Sequence, residues 1–120
     1  MSAPHELLQQ RLQAFARERD WDQFHTPKNI AMALAGEVGE LLAELQWSSD
    51  EQIREHLSTD ADFRERIEEE LADVHLYLLR LADLCGTDLI QASNTKIDRN
   101  AQKYPIDKAH GTATKYTRLV

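Results

Sequence analysis

The sequence predicts an all-α protein: an antiparallel bundle of four main helices and one short helix, completed by oligomerisation. No run alternates apolar and polar residues as a half-buried strand does. Only 4 glycines and 3 prolines interrupt the 120 residues, and apolar residues recur three and four positions apart. This length suits one domain with its own core. We therefore expect a single domain over residues 1–120, with an irregular basic tail over about 105–120.

Helix-start and helix-stop signals divide the chain in order. A first helix covers roughly His5 to Arg19. The "DWDQFHTP" segment is a polar and aromatic break, after which Thr26 is the expected N-cap of a second helix that runs to about Gln46, with a proline at its first position.

Three further helices follow. "SSDEQ" opens the short third helix, with Ser48 or Ser49 as its cap. The long fourth helix runs from Asp60 to about Leu84 and ends before Gly86. The last helix is capped by Thr87 or Asp88, runs to about Lys103 and ends before Pro105.

Charge and composition limit the function classes. The net charge is −7, and residues 1–90 carry 8 Lys and Arg against 19 Asp and Glu, whereas residues 91–120 carry 6 against 2. An acidic body argues against binding to a nucleic-acid polymer, although the basic tail suits a small phosphorylated ligand. The single Cys85 excludes a disulfide framework and a Cys-rich zinc site. No apolar run of membrane or signal-peptide type is present, so we expect a cytoplasmic protein without a membrane partner.

Two pairs of acids dominate the candidate site. Glu37 and Glu40 lie three residues apart on the second helix, and Glu70 and Asp73 repeat this spacing on the fourth. Residues three apart share a helix face, and each pair borders an apolar stripe. The stripes comprise Ile30, Leu34, Val38, Leu41 and Leu45 on one helix, and Ile67, Leu71, Val74, Leu78 and Leu81 on the other.

Facing helices would bring the four carboxylates to one place. Two unit charges 4 Å apart repel by about 4 kcal/mol at an effective dielectric near 20, and a hard cation such as Mg²⁺ relieves this. The alternative is a solvated acidic face, which is the reading we give to Glu68 and Glu69 in the helix's exposed first turn. A di-iron bundle would need Glu-x-x-His on two helices, and these helices lack it. Gly36 and Gly39 suggest that something approaches the backbone closely beside the acids.

Five segments carry a family resemblance: "RDWDQFHTPKN", "GEVGELLAELQW", "EEELADVHLYLLRLAD", "DL..A...K...N..KYP" and "HGTATKYT". In this order they resemble the MazG-like, all-α nucleoside triphosphate pyrophosphohydrolases, and within them the dCTP pyrophosphatase branch. The sequence departs from the branch in the first helix, where Leu12 and Gln13 stand in a region that tends to have an additional polar residue in vertebrate members.

The resemblance implies cleavage of a nucleoside triphosphate to monophosphate and pyrophosphate, with Mg²⁺ as cofactor and Mn²⁺ as a substitute. It implies that Glu37, Glu40, Glu70 and Asp73 bind the metal. A carboxylate there can orient or deprotonate the attacking water; the resemblance does not identify which one, and Glu40 is our candidate. The implied substrate contacts are Trp21, His25, Trp47, Tyr77, Lys96, Asn100, Lys103 and Tyr104. The two tryptophans are expected to line one mouth, and the implied assembly is a homodimer or a homotetramer.

Two alternatives stay open at this point. The same reaction on another nucleotide, such as dUTP or a damaged dNTP, would leave the acid motif unchanged. A non-catalytic helical interaction module would show no Mg²⁺-dependent hydrolysis.

Overall fold

The computed structural model describes residues 3–120, which form helices joined by turns and irregular connections. The α-helices are α1 (Ala3–Glu18), α2 (Pro27–Leu45), α3 (Asp50–Thr59), α4 (Ala61–Leu84), α5 (Leu89–Lys103) and α6 (Ile106–Ala109), followed by a 3-10 turn at Tyr116–Arg118. The all-α prediction is confirmed. Within the described residues, no helix is both long and apolar enough to cross a membrane.

Side-chain caps fix the helix starts that position the site. The Thr26 hydroxyl accepts a hydrogen bond from the Asn29 amide at the start of α2. Ser49, the second of the two expected candidates, begins α3 with a complete capping box. The Asp60 carboxylate accepts from the Phe63 amide and so starts α4 directly after α3. Each cap satisfies a backbone N–H that the helix leaves unpaired, which stabilises the helix by about 1 kcal/mol.

Helix α4 is the centre of the packing, since α2, α3 and α1 all lie against it. The buried apolar residues are Ala16, Ile30, Phe63, Ile67, Leu79 and Ala82. They come from α1, α2 and α4, so the core lies where these three helices meet. The acids of α2 and α4 border this core.

The predicted apolar stripes are only partly buried. Ile30 and Ile67 lie in the core, whereas Val38, Leu71 and Leu78 are exposed. Helix α5 packs only weakly on the other helices. The radius of gyration is 18.0 Å, whereas a compact chain of this length has about 14 Å. A single chain therefore leaves apolar helix surface uncovered.

The C-terminal tail is irregular only in part, because it contains α6 and the 3-10 turn. Tyr116 of that turn packs edge-on against Tyr104, with ring centroids 5.9 Å apart, and Lys103 Nζ lies 4.8 Å from the Tyr116 ring centroid. These contacts return the tail to the end of α5.

Candidate metal centre and adjoining pocket

Three carboxylates from two helices converge at the border of the core. Glu37 lies on α2, and Glu70 and Asp73 lie one turn apart on α4. One carboxylate oxygen of each lies within 4.8 Å of the others. The spacing of three residues on α4 places both acids on one face, and the packing of α2 on α4 adds the third. Such a group could hold a metal ion.

The electrostatics of this acid cluster (Glu37, Glu70 and Asp73) are unfavourable without a cation. Oε2 of Glu37 and Oε2 of Glu70 are enclosed and have no hydrogen-bond partner among the described residues. Burial raises the pKa of Glu37, and the neighbouring carboxylates of Glu40, Asp73 and Glu70 raise it further. Burial also raises the pKa of Glu70, followed by the charge of Glu40. Enclosed, unpaired carboxylate oxygens are costly, and a hard cation with all-oxygen ligation fits them.

Glu40 and Glu44 continue the acidic strip of α2 in different ways. Glu40 is exposed, and its carboxylate interacts with both enclosed acids. Glu44 accepts a hydrogen bond from Arg66 Nε at 3.2 Å, so its charge is already paired. Glu40 is therefore the fourth acid that can turn toward a ligand at the cluster.

Gly36 and Gly39 do not mark a close approach. A Cβ added at either position would meet nothing within 4 Å. The expectation of a tight contact beside the acids is wrong within one chain, because this side of α2 is open.

A pocket of about 280 Å³ lies directly beside the cluster. Asp73 belongs to both, so a ligand in the pocket reaches the acids. The wall comes from α1, the segment between α1 and α2, α2 and α4. The lining residues are Leu12, Phe15, Ala16, Trp21, His25, Ile30, Asp73, Leu76, Tyr77 and Arg80. A mostly apolar wall with a few polar groups is typical of small-molecule sites.

Three of the predicted substrate residues thus line the pocket. The Trp21 ring stands edge-on to Phe15, with centroids 5.6 Å apart, and 6.3 Å from the His25 ring centroid. Tyr77 lies one turn beyond Asp73 on α4. Two aromatic side chains, an imidazole and a phenol hydroxyl therefore share the pocket with Asp73.

Sequence reasoning missed a buried polar network behind this pocket. Arg80, only 8% exposed, donates from Nη2 to Asp22 at 2.8 Å, from Nη1 to Asp83 at 3.1 Å and from Nε to His25 Nδ1 at 3.0 Å. Gln13 donates to the same oxygen of Asp83 at 2.9 Å. The available signal was an Arg and an Asp three apart within the apolar "LLRLAD" segment, where unpaired charges would be costly.

The other predicted contacts lie outside this pocket in a single chain. Trp21 precedes α2 and Trp47 follows it, and a helix of 19 residues is about 28 Å long. The expectation that both tryptophans line one mouth is therefore wrong within one chain, where Trp47 is 88% exposed. Lys96 lines a separate open depression with Gln91 and Arg99 near the start of α5. Asn100, Lys103 and Tyr104 follow further along or just beyond α5 and are not part of the pocket's lining.

Comparisons with known proteins agree with this geometry. A family model described as MazG-like matches residues 32–119. Over 105 residues, 88% of this chain, the sequence is 48% identical to dCTP pyrophosphatase 1 of Mus musculus and 44% identical to that of Homo sapiens. The match covers 61% of each of those two proteins, so the chain spans about three fifths of their length. The crystal structure of a pyrophosphatase from Archaeoglobus fulgidus superposes with a TM-score of 0.79 at 38% identity, covering 88% of this chain and 95% of that one.

Proposed function

This chain belongs to the MazG-like family, and on that premise we propose that it is a Mg²⁺-dependent nucleotide pyrophosphatase that hydrolyses dCTP, or a modified dCTP, to dCMP and pyrophosphate. One observation carries the proposal: Asp73 joins a cluster of unpaired carboxylates to a pocket that is large enough for a pyrimidine. The names of the relatives, dCTP pyrophosphatase 1, point to the same substrate. A non-catalytic helical module gives no reason for enclosed acids at such a pocket.

Each residue has a role in this proposal. Glu37, Glu70 and Asp73 hold the cation, with Glu40 as the fourth carboxylate. When bound there, Mg²⁺ offsets charge on the phosphate oxygens. We assign Glu40 to orient or deprotonate the attacking water, because it is exposed and reaches both enclosed acids.

The pocket residues orient the nucleotide. Trp21 stacks on the base, which contributes about 1–3 kcal/mol for an aromatic side chain. In this proposal His25 hydrogen-bonds the base edge, and Tyr77, which lines the pocket one turn from Asp73, faces the deoxyribose. In this proposal the α- and β-phosphates then lie at the acid cluster, because Asp73 belongs to both the pocket and the cluster.

We further propose that a second copy of the chain completes the site. The support is the extended shape and the exposed apolar residues of α2, α4 and α5, which include Met32, Leu42, Leu71 and Ile97. The remaining predicted contacts, Trp47, Lys96, Asn100, Lys103 and Tyr104, would then reach the phosphates or base of a neighbouring copy's substrate. Sedimentation equilibrium tests this: a Leu71→Asp variant should shift the protein toward monomer and lower the activity together. A monomeric wild type with full activity would contradict it.

A nucleotide panel with and without Mg²⁺ tests the activity. We expect dCMP and pyrophosphate as the products of dCTP, separated by anion-exchange chromatography from dCDP and inorganic phosphate. Glu40→Gln should lower kcat by about 100-fold or more, the scale of a lost general base, and leave the fold intact. Glu69→Gln is the matched control, because Glu69 is an exposed acid outside the cluster. If dCTP is among the poorest substrates while dUTP or an oxidised dNTP is among the best, the reaction stands and the substrate assignment falls.

A further inference from the structure

A buried arginine in the wall of the pocket, Arg80, donates a hydrogen bond to the His25 ring. Arg80 comes from α4, whereas His25 and Asp22 come from the segment between α1 and α2. The Arg80 side chain is 9% exposed and donates to His25 Nδ1 at 3.0 Å. The network thus connects this loop segment to the long helix in the wall of the pocket.

The positive charge of Arg80 is paired with two carboxylates of the network. Asp22 accepts from Nη2 at 2.8 Å and Asp83 accepts from Nη1 at 3.1 Å. Two carboxylates therefore face one guanidinium, and Gln13 gives Asp83 a further donor at 2.9 Å. Arg80 also lines the pocket, but its charge is paired with Asp22 and Asp83, so it is poorly suited to bind phosphate.

The hydrogen bond from Arg80 fixes the proton of the imidazole. A guanidinium has only donors and does not lose its proton in proteins, so Nδ1 of His25 must accept. A neutral imidazole whose Nδ1 accepts carries its hydrogen on Nε2. Burial and the neighbouring Arg80 both lower the pKa of His25, against a smaller effect of Asp22, which agrees with the neutral ring. No residue of the described chain hydrogen-bonds Nε2.

We propose that Arg80 is a positioning residue that holds His25 as an Nε2–H donor, so that the pocket selects pyrimidines with an acceptor edge, cytosine and its 5-substituted forms, over uracil and thymine. Cytosine presents two adjacent acceptors, O2 and N3. Uracil and thymine carry a hydrogen on N3 between two carbonyls, so an Nε2–H that lies against N3 meets an acceptor in cytosine and another donor in uracil or thymine. This inference rests on the proposed nucleotide function and specifies its base preference.

Donor–donor opposition decides selectivity because it leaves a polar group unpaired inside the site. Leaving one buried donor unsatisfied costs roughly tenfold or more in affinity. The opposite tautomer, with the hydrogen on Nδ1, would make Nε2 an acceptor and remove this preference. In this proposal Arg80 affects selectivity through the tautomer of His25, which the ring nitrogen shifts report directly.

The experiment compares three full-length proteins: wild type, Arg80→Lys and Arg64→Lys. Lysine keeps the positive charge and loses the Nε–H that holds His25. Arg64 lies on the same helix in an exposed ion pair with Glu68, so Arg64→Lys is the matched control. Two quantities are measured: the ¹⁵N shifts of the His25 ring, which report its tautomer, and the calorimetric affinities for dCMP and dUMP without metal.

We expect wild type and Arg64→Lys to show the Nε2–H form of His25 and to bind dCMP about tenfold or more tightly than dUMP. In Arg80→Lys the ring should become a tautomer mixture, and the binding ratio should approach one while circular dichroism shows an intact fold. A wild-type His25 with its proton on Nδ1, an imidazolium, or a ratio that Arg80→Lys leaves unchanged would overturn the proposal.

The same readouts separate this inference from the function on which it rests. They do not require turnover, so a protein that binds dCMP selectively and hydrolyses no triphosphate would refute only the pyrophosphatase assignment. An active enzyme with the wrong tautomer would refute only the role of Arg80. If Arg80→Lys does not fold, the wild-type measurements still test the proposal, because it requires both the Nε2–H form of His25 and tighter binding of dCMP than of dUMP.

Discussion

The substitution Glu37→Gln removes one negative charge from the acid cluster and preserves the size of the side chain. Two unit charges 4.8 Å apart, the limit that encloses the three ligand oxygens, repel by about 3.5 kcal/mol at an effective dielectric near 20 and by about 0.9 kcal/mol in water. The acids border solvent, so screening favours the lower end of this range. We therefore expect metal-free Glu37→Gln to be more stable than wild type by about 1 kcal/mol, which raises Tm by about 4 °C in a domain of this size.

Magnesium should reverse this order. A ligand at 100 times its Kd stabilises the folded state by about 2.7 kcal/mol, but the variant has lost a charged ligand and should gain little. Thermal unfolding followed by circular dichroism, in EDTA and in saturating MgCl₂ at one protein concentration, measures both effects. The diagnostic result is a Tm above wild type in EDTA and below wild type in Mg²⁺.

Glu69→Gln is the control, because removal of an ordinary exposed acid changes stability by no more than about 0.5 kcal/mol in either state. If Glu37→Gln melts below wild type in EDTA, Glu37 has a stabilising partner and the repulsive cluster is refuted. If Mg²⁺ stabilises variant and wild type equally, Glu37 is not a ligand.

Three further outcomes are expected. Because the pKa values of Glu37 and Glu70 are raised, the folded protein binds more protons than the unfolded chain at pH values just above the ordinary carboxyl range. The stability of the metal-free protein should therefore fall as pH rises through that range, while the affinity for Mg²⁺ should rise because fewer protons compete for the carboxylates. Unfolding and calorimetry at about pH 5 and about pH 8 measure the two effects. In steady-state assays, Trp21→Ala should raise KM for dCTP roughly 5- to 100-fold through lost stacking, with a smaller change in kcat. The control is Phe24→Ala, which should leave both constants unchanged because Phe24 is an exposed ring of the same segment outside the pocket lining. Leu79→Ala, at a residue 1% exposed, should cost about 3 kcal/mol through the cavity it creates, and an unchanged urea midpoint would show that α4 is not packed as described.

The helices could be predicted because their signals are local. Thr26 followed by a proline, the capping box at Ser49 and the left-handed Gly86, with a φ of 67°, each define a helix end without reference to the rest of the chain. Burial was harder to predict. Leu71 and Leu78 have the periodicity of a core stripe and are exposed, because a single chain offers no further helix to cover them.

The site also has a part that local sequence signals predict and a part that only the tertiary structure shows. The spacing of three between acids is a local property, so the sequence indicates that Glu70 and Asp73 share a face, and the packing of α2 on α4 adds Glu37. Two of the three partners of Arg80, His25 and Asp22, are 55 and 58 residues away in the chain. No period or cap connects "LLRLAD" to "DWDQFH", so only the tertiary structure shows that a charge within an apolar helix is satisfied by the loop segment of the pocket.

Helix α4 therefore carries two polar functions along one face, because Asp73, Tyr77 and Arg80 are spaced by four and three residues and all line the same pocket. Asp73 and Tyr77 are four residues apart and face the cluster and pocket, while Arg80, three residues further on, is turned toward the loop segment through His25 and Asp22. A rotation of α4 by one residue, about 100°, would move the acids away from α2 and Arg80 away from His25 at the same time. The buried Leu79 and Ile67 prevent that rotation. Chemistry at the phosphates and selection at the base then depend on one rigid helix, so disturbing its packing should impair both together, whereas Glu40→Gln should impair only turnover and Arg80→Lys only selectivity.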